Sequence, residues 1–295
     1  MSIPPAAAVA IAVTGNFVLS LGMALQKRHV GWIGRSPWRV DGPPLEGERR
    51  RKGRFYRDFA AWFLGFMLVN IVPVFQYFAL MGLSTSVVGA TSGASVAFAA
   101  ILARIMLRES LGGRRLAWTI VLFAAIAAAG FLGEGGTSRA EDLSPATLFL
   151  FLGIPLVAGA MLFALRGRLK GHGLATMLAA VSGCLGGFMI FPLRALQFTA
   201  GEGIGAALAS PYLYAYLAAG FAGFVLIQAA YKNGEMAAVA PAYYGLQVLW
   251  PALGSYFVFG ARFLPAQTAA FALVAVCVAA IAGARPAARP PEPER

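Results

Sequence analysis

The side chains able to do chemistry in this chain are polar, uncharged and aromatic, and they recur at helical spacing inside apolar stretches. Asn70, Pro73, Gln76 and Tyr77 stand at i, i+3, i+6 and i+7, one face of a helix. Tyr243, Gln247 and Trp250 share a second such face, with Tyr244 beside it and Pro241 just before. Asn16, Ser92 and Gln228 complete the candidate set. The twelve acids are Asp41, Glu46, Glu48, Asp58, Glu109, Glu134, Glu141, Asp142, Glu202, Glu235, Glu292 and Glu294, and none falls in the middle of an apolar run. His29 and His172 lie beside loops. Cys184 and Cys277 are too few and too far apart for a zinc site or a disulfide framework. No catalytic constellation results, and the chain is expected not to be an enzyme and to need no cofactor and no resident metal. An amide and aromatic lining suits a small amphipathic organic solute, held by hydrogen bonds and ring contact. A cationic solute could also use the ring faces.

The elements that must hold these residues are membrane helices. Of the 295 residues, 59% are hydrophobic and 12% charged, against about 25% charged in soluble domains. The apolar runs are near 20 residues, twice the length of a barrel strand. The expected fold is therefore all-α, a polytopic bundle of about nine transmembrane helices. Their expected positions are 6–25, 59–80, 84–107, 116–132, 145–165, 174–193, 212–230, 237–259 and 265–283. A span of glycines, Thr91 and Ser92 lets the third helix start late or bend. Pro241 can break the eighth where a cavity takes up the freed carbonyl.

Charge sets the orientation. With the N-terminus outside and the C-terminus in the cytoplasm, 21 of the 24 Lys and Arg lie inside, and Arg139, Arg194 and Arg262 remain outside. The net charge of +12 needs no nucleic acid to explain it. The expected partners are the small solute and the lipid bilayer, with anionic lipids at the basic loop 26–58 and a homodimer as a further association. The N-terminal run lacks a preceding basic region and is not read as a cleavable signal. Trp32 and Trp38 are expected to lie along the interface.

Shifting the chain by 152 residues aligns Gln76 with Gln228, Gly82 with Gly234, Val87 with Val239, Ala90 with Ala242, Gly93 with Gly245 and Ala100 with Ala252. The shifted halves run in opposite directions across the membrane. The expected organisation is thus an unequal, 4+5 inverted repeat: a first membrane repeat 1–132, an external linker 133–144, a second repeat 145–283, and a disordered tail 284–295. The shift places Ser92 on Tyr244. It predicts a mid-membrane cavity between the halves, lined by the second, third, seventh and eighth spans.

The stretch GFMLVNIVPVFQYFALMGLSTSVVGATSGASVAFAAILARIMLRESL resembles the drug/metabolite transporter superfamily, of EamA-like type. Its repeats run through a small-residue turn into a helix closed by a basic and acidic element. Here that element is Arg108-Glu109-Ser110-Leu111, and in the second half Gly260-Ala261-Arg262-Phe263. With GNFVLSLGMALQKR and AAVAPAYYGLQVLWPALGSYFVFG, the nearest branch resembles the NIPA-type proteins, described as magnesium transporters with nine spans. The resemblance implies a secondary transporter of the cell membrane. It leaves four readings: a carrier for a small organic solute, a divalent-cation pathway, a lipid or amphiphile translocator, and a non-transporting membrane scaffold. A dehydrated divalent cation wants carboxylates, which the span centres lack.

Overall fold

The computed structural model describes residues 3–33, 47–83, 88, 91–109, 112–132, 145–165, 168, 171–201, 203–259 and 262–283. All regular structure among them is helical. The helices are α1 (Pro5–His29), α2 (Gly47–Leu80), α3 (Gly93–Met106), α4 (Gly113–Phe131), α5 (Pro145–Ala164), α6 (His172–Phe188), α7 (Ile190–Gly201), α8 (Ile204–Ala209), α9 (Pro211–Asn233), α10 (Met236–Phe259) and α11 (Pro265–Gly283). Proline opens α1, α5, α9 and α11, where its missing N–H costs nothing and its fixed φ suits a first turn. Ser210 caps α9 by accepting the N–H of Tyr212.

Among the described residues, six helical stretches are long and apolar enough to cross a membrane: Pro5–Trp32, Lys52–Leu80, Gly113–Phe131, His172–Leu193, Pro211–Asn233 and Pro265–Gly283. Gly93–Met106 and Leu148–Ala164 are shorter apolar helices. The chain is a multi-pass helical membrane protein.

Glycine contacts define how the helices run. A Cβ on Gly15 would meet Phe75, one on Gly22 would meet Gly65 O at 2.8 Å, and one on Gly82 would meet Ile3 O. Rising numbers on α1 thus meet falling numbers on α2, so the two are antiparallel. Asn16 and Ser20 bond residues 91 and 95, so α1 and α3 are parallel. The same logic makes α6 and α10 parallel, through Gly183 on Tyr243 and Gly187 on Gln247. Gln267 Nε2 donates to Ala129 O at 3.1 Å, tying the start of α11 to the end of α4. One buried apolar core runs through both halves, from Leu19 and Met23 to Tyr244 and Val278.

The expected loop 26–58 is corrected at both ends. Residues 26–29 belong to α1, a short turn follows over Val30–Trp32, and α2 begins at Gly47. The basic run contains no proline, and aromatic packing extends the helix: Trp32 stands edge-on to Phe55, Phe59 and Trp62 at 5.1–6.0 Å. His29 Nδ1 lies 3.2 Å from Asp58 Oδ1. Trp32 is packed in an aromatic cluster. Trp38, the linker 133–144, the tail 284–295 and the two closing elements beyond Glu109 and Phe259 lie outside the described residues, Arg262 and Phe263 excepted.

Candidate functional site

Helix α1 carries a polar stripe of Asn16, Ser20, Met23 and Lys27 at i, i+4, i+7 and i+11. Each member is met by a partner from another helix. Asn16 Nδ2 donates to Thr91 O at 2.8 Å, and its Oδ1 accepts from Ser95 Oγ at 3.0 Å. Ser20 Oγ donates to Ser95 O at 3.1 Å and lies 3.2 Å from Tyr244 Oη. Tyr244, fully buried, donates to Met23 Sδ. One layer further, Trp62 Nε1 donates to Gln228 Oε1 at 3.0 Å, and Gln228 Nε2 donates to Gln26 Oε1. Asn16, Gln228 and Tyr244 are thus committed to helix–helix contacts. Such bonds fasten helices where lipid offers no alternative.

The stripe ends in an open cleft of about 780 Å³ at the charged end of the bundle, lined in part by Lys27, Arg28, Arg108, Glu109, His172, Lys232 and Glu235. Here the ends of α1, α3 and α9 meet the starts of α6 and α10. Lys27 Nζ donates to Tyr231 O and Gly234 O, the free carbonyls closing α9. The Glu109 carboxylate accepts the N–H groups of Met236 at 2.9 Å and Ala237 at 2.8 Å, the first of α10. Arg115, buried, donates to Glu235 Oε2 at 2.8 Å. Arg108 holds φ 54°, the left-handed region that a non-glycine residue enters at a cost. That turn sends residue 109 across to α10.

Burial pushes the Glu109 carboxyl above its ordinary value of 4.5, outweighing the two backbone N–H groups and Lys27, which pull it down. A folded-state value above the unfolded one means the folded protein binds the proton more tightly. Its contribution to stability is therefore present below the ordinary carboxylate range and lost as pH rises through the raised value. In thermal unfolding across pH 4 to 8, Glu109→Gln should remove that loss. The variant's midpoint should fall less than the parent's over this window.

Tyr243, Gln247 and Trp250 form a different kind of place. They lie on α10 against α6, whose Gly183, Gly186 and Gly187 present no side chain. A Cβ on Gly186 would lie 2.8 Å from Tyr243 Oη and 3.7 Å from Gln247 Nε2. Phe151 of α5 stacks on Trp250, centroids 4.4 Å apart and planes at 26°. Gln247 Oε1 and Trp250 Nε1 are buried with no hydrogen-bond partner. An unpaired buried polar group costs about 1–3 kcal/mol, so these two stand ready for a ligand that supplies a donor and an acceptor. Gln247 is 11 residues into α10, roughly 16 Å from the charged end at 1.5 Å per residue, and so near the middle of a bilayer. The other buried polar atoms without partners, on Gln26, Trp32, His172 and Tyr231, lie at the charged end, close to the open cleft.

The structure adds walls to the cavity expected from the sequence: Gln247 and Trp250 lie against α6 and α5. Asn70 and Tyr77 are exposed on the outer side of α2, and Asn70 Nδ2 folds back onto Phe66 O at 2.8 Å. Gln76 and Ser92 are partly buried. Sequence reasoning missed Ser20, Gln26, Lys27, Thr91 and Ser95. The spacing of Asn16, Ser20, Met23 and Lys27 was the signal available for α1. In comparison with known proteins, no family model, curated protein or solved structure matches the chain.

Proposed function

We propose that the chain is a secondary carrier for a small organic solute, moved by alternating access between two inverted halves. The observation that carries this reading is the pair of buried, unpartnered atoms Gln247 Oε1 and Trp250 Nε1 at mid-bundle, walled by aromatic rings. The solute this site suits has a hydrogen-bond donor and acceptor beside a flat or apolar body. An inverted repeat is supported by contacts in register. Gly93 faces Ile126 and Gly245 faces Val278, both pairs displaced by 152 residues. Gly82 meets Ala8 and Gly234 meets Ala175, displaced by 152 and 167. The larger offset of the first helix absorbs the different connection to the next one.

The nine crossings are the six long helical stretches, the two shorter apolar helices and α10. An N-terminus outside and a C-terminus inside follow from the charge bias, and the Lys- and Arg-rich helix ends do meet at one end of the bundle. This plan agrees with the resemblance to EamA-like drug/metabolite transporters of the cell membrane. The NIPA-like magnesium reading gains less support. Of the two acids in the cleft, Glu109 is occupied by backbone N–H groups and Glu235 by Arg115, so neither is poised to hold a divalent cation.

A thermal-shift screen of purified protein against small organic solutes, lipids and magnesium tests the proposal, since a ligand stabilises the state it binds. An organic solute with paired donor and acceptor groups should raise the midpoint of the parent. Gln247→Leu should fold but lose at least roughly tenfold in affinity, matching the loss of a buried hydrogen bond. Stabilisation by magnesium alone, or equal binding by Gln247→Leu, would count against it.

A further inference from the structure

In the second half, α5 covers α6 and α9. A Cβ on Gly159 would meet Leu226 Cδ1 at 2.8 Å and Val181 Cγ1 at 3.5 Å. By the repeat offsets, Leu226 corresponds to Val74 and Val181 to Thr14. Val74 is 51% exposed, and Thr14 is exposed too. The face that a helix covers in one half is thus open in the other, among the described residues.

That open face of α2 has an ordered pattern. Phe63, Met67, Asn70, Val74 and Tyr77 are all exposed, at spacings of 4, 3, 4 and 3, the a/d seam of a coiled coil. Asn70 is at its centre and in the middle of the apolar span. Its one described hydrogen bond is to Phe66 O, which leaves the amide oxygen and the second N–H to find a partner. Hydrocarbon offers none.

We infer that α2 is a homodimer interface, packed in parallel on α2 of a second copy, with the two Asn70 amides hydrogen-bonded to each other across the two-fold axis. A second copy is the occupant the features select. Two copies inserted under one charge bias point the same way, so their α2 helices meet in parallel. A two-fold axis brings each seam residue near its own counterpart, so one Asn at a single seam position satisfies itself. A central Asn in a parallel seam also fixes register and favours two strands.

Two measurements on the full chain in liposomes test this. In a background with Cys184→Ala and Cys277→Ala, single cysteines at Phe63, Met67 and Val74 should form disulfide-linked dimers on oxidation. Cysteines at Ile154 and Phe221, exposed on other outer faces, should not. In single-molecule photobleaching at low protein density, Asn70→Leu should weaken dimerisation roughly tenfold, and Asn70→Gln should largely restore it. Asn70→Leu should leave the unfolding midpoint of the monomer unchanged, because the residue is exposed. One-step bleaching of the parent at every density would overturn the inference. So would cross-links confined to Ile154 or Phe221, a dimer indifferent to Asn70→Leu, or cross-linking of these cysteines in cell membranes to a different protein.

Discussion

Gly183→Ala should yield no monodisperse, folded protein. A Cβ at Gly183 would stand 2.2 Å from Tyr243 O and 3.0 Å from Tyr243 Cα, backbone atoms that no rotamer change can move. One turn on, a Cβ at Gly187 would stand 2.4 Å from Gln247 O. The two glycines form a G-x-x-x-G seam on which α6 and α10 run backbone to backbone. Relief requires the helices to part, and the separation would propagate to Phe188 and Tyr244, both fully buried. Overpacking of this kind costs about 1–3 kcal/mol where side chains can yield, and more where they cannot. Size-exclusion chromatography of a fluorescent fusion should show aggregate in place of the folded peak. Gly173→Ala is the control on the same helix. Nothing lies within 4 Å of its added Cβ, and helix propensity alone should leave it neutral or slightly more stable, by up to about 1 kcal/mol.

Arg115→Met should lower stability by about 3 kcal/mol or more, read as the unfolding midpoint in detergent. The guanidinium side chain is 3% exposed and its carboxylate partner 29%. Removing the cation strands Glu235 beside Glu109 in a half-buried place, and breaking such a pair from one side typically costs 3–5 kcal/mol. The double variant Arg115→Met with Glu235→Met should recover most of that loss, because neither charge is then left unpaired. A double variant as unstable as the single one would show that Arg115 acts through packing.

What could be read from the sequence was what apolar length, charge and chain-internal comparison carry. The 152-residue shift pairs Gly93 with Gly245, and both lie against the helix that follows. Tyr243, Gln247 and Trp250 fell on one face because helical spacing alone places them there. The role of Glu109 was not legible. Its partners are two backbone N–H groups 127 and 128 residues away, and a main-chain donor has no residue type to announce it. Asn16 was ambiguous because its chemistry is the same in a cavity wall as in a helix contact; Thr91 and Ser95 across the interface decide. Asn70 is exposed on α2, a side that the rule of polar groups turning into their own bundle does not predict. Gly183 and Gly187 were hidden among 35 glycines.

The stripe on α1 has a consequence for how the protein is made. Ser20 waits for Tyr244, 224 residues later, and Lys27 for Tyr231 and Gly234, 204 and 207 residues later. At synthesis rates of about 5–20 residues per second, that delay is roughly 10–45 s. Through that interval α1 is already in or at the membrane, with Ser20 bonded to Ser95 while the contacts to α9 and α10 are still to be made. The translocation machinery, headgroups or early contacts with Thr91 and Ser95 must hold it there. Helix α1 is thus bonded in stages, first to Ser95 and only later to α9 and α10, and chains truncated before α9 should be prime substrates for membrane quality control.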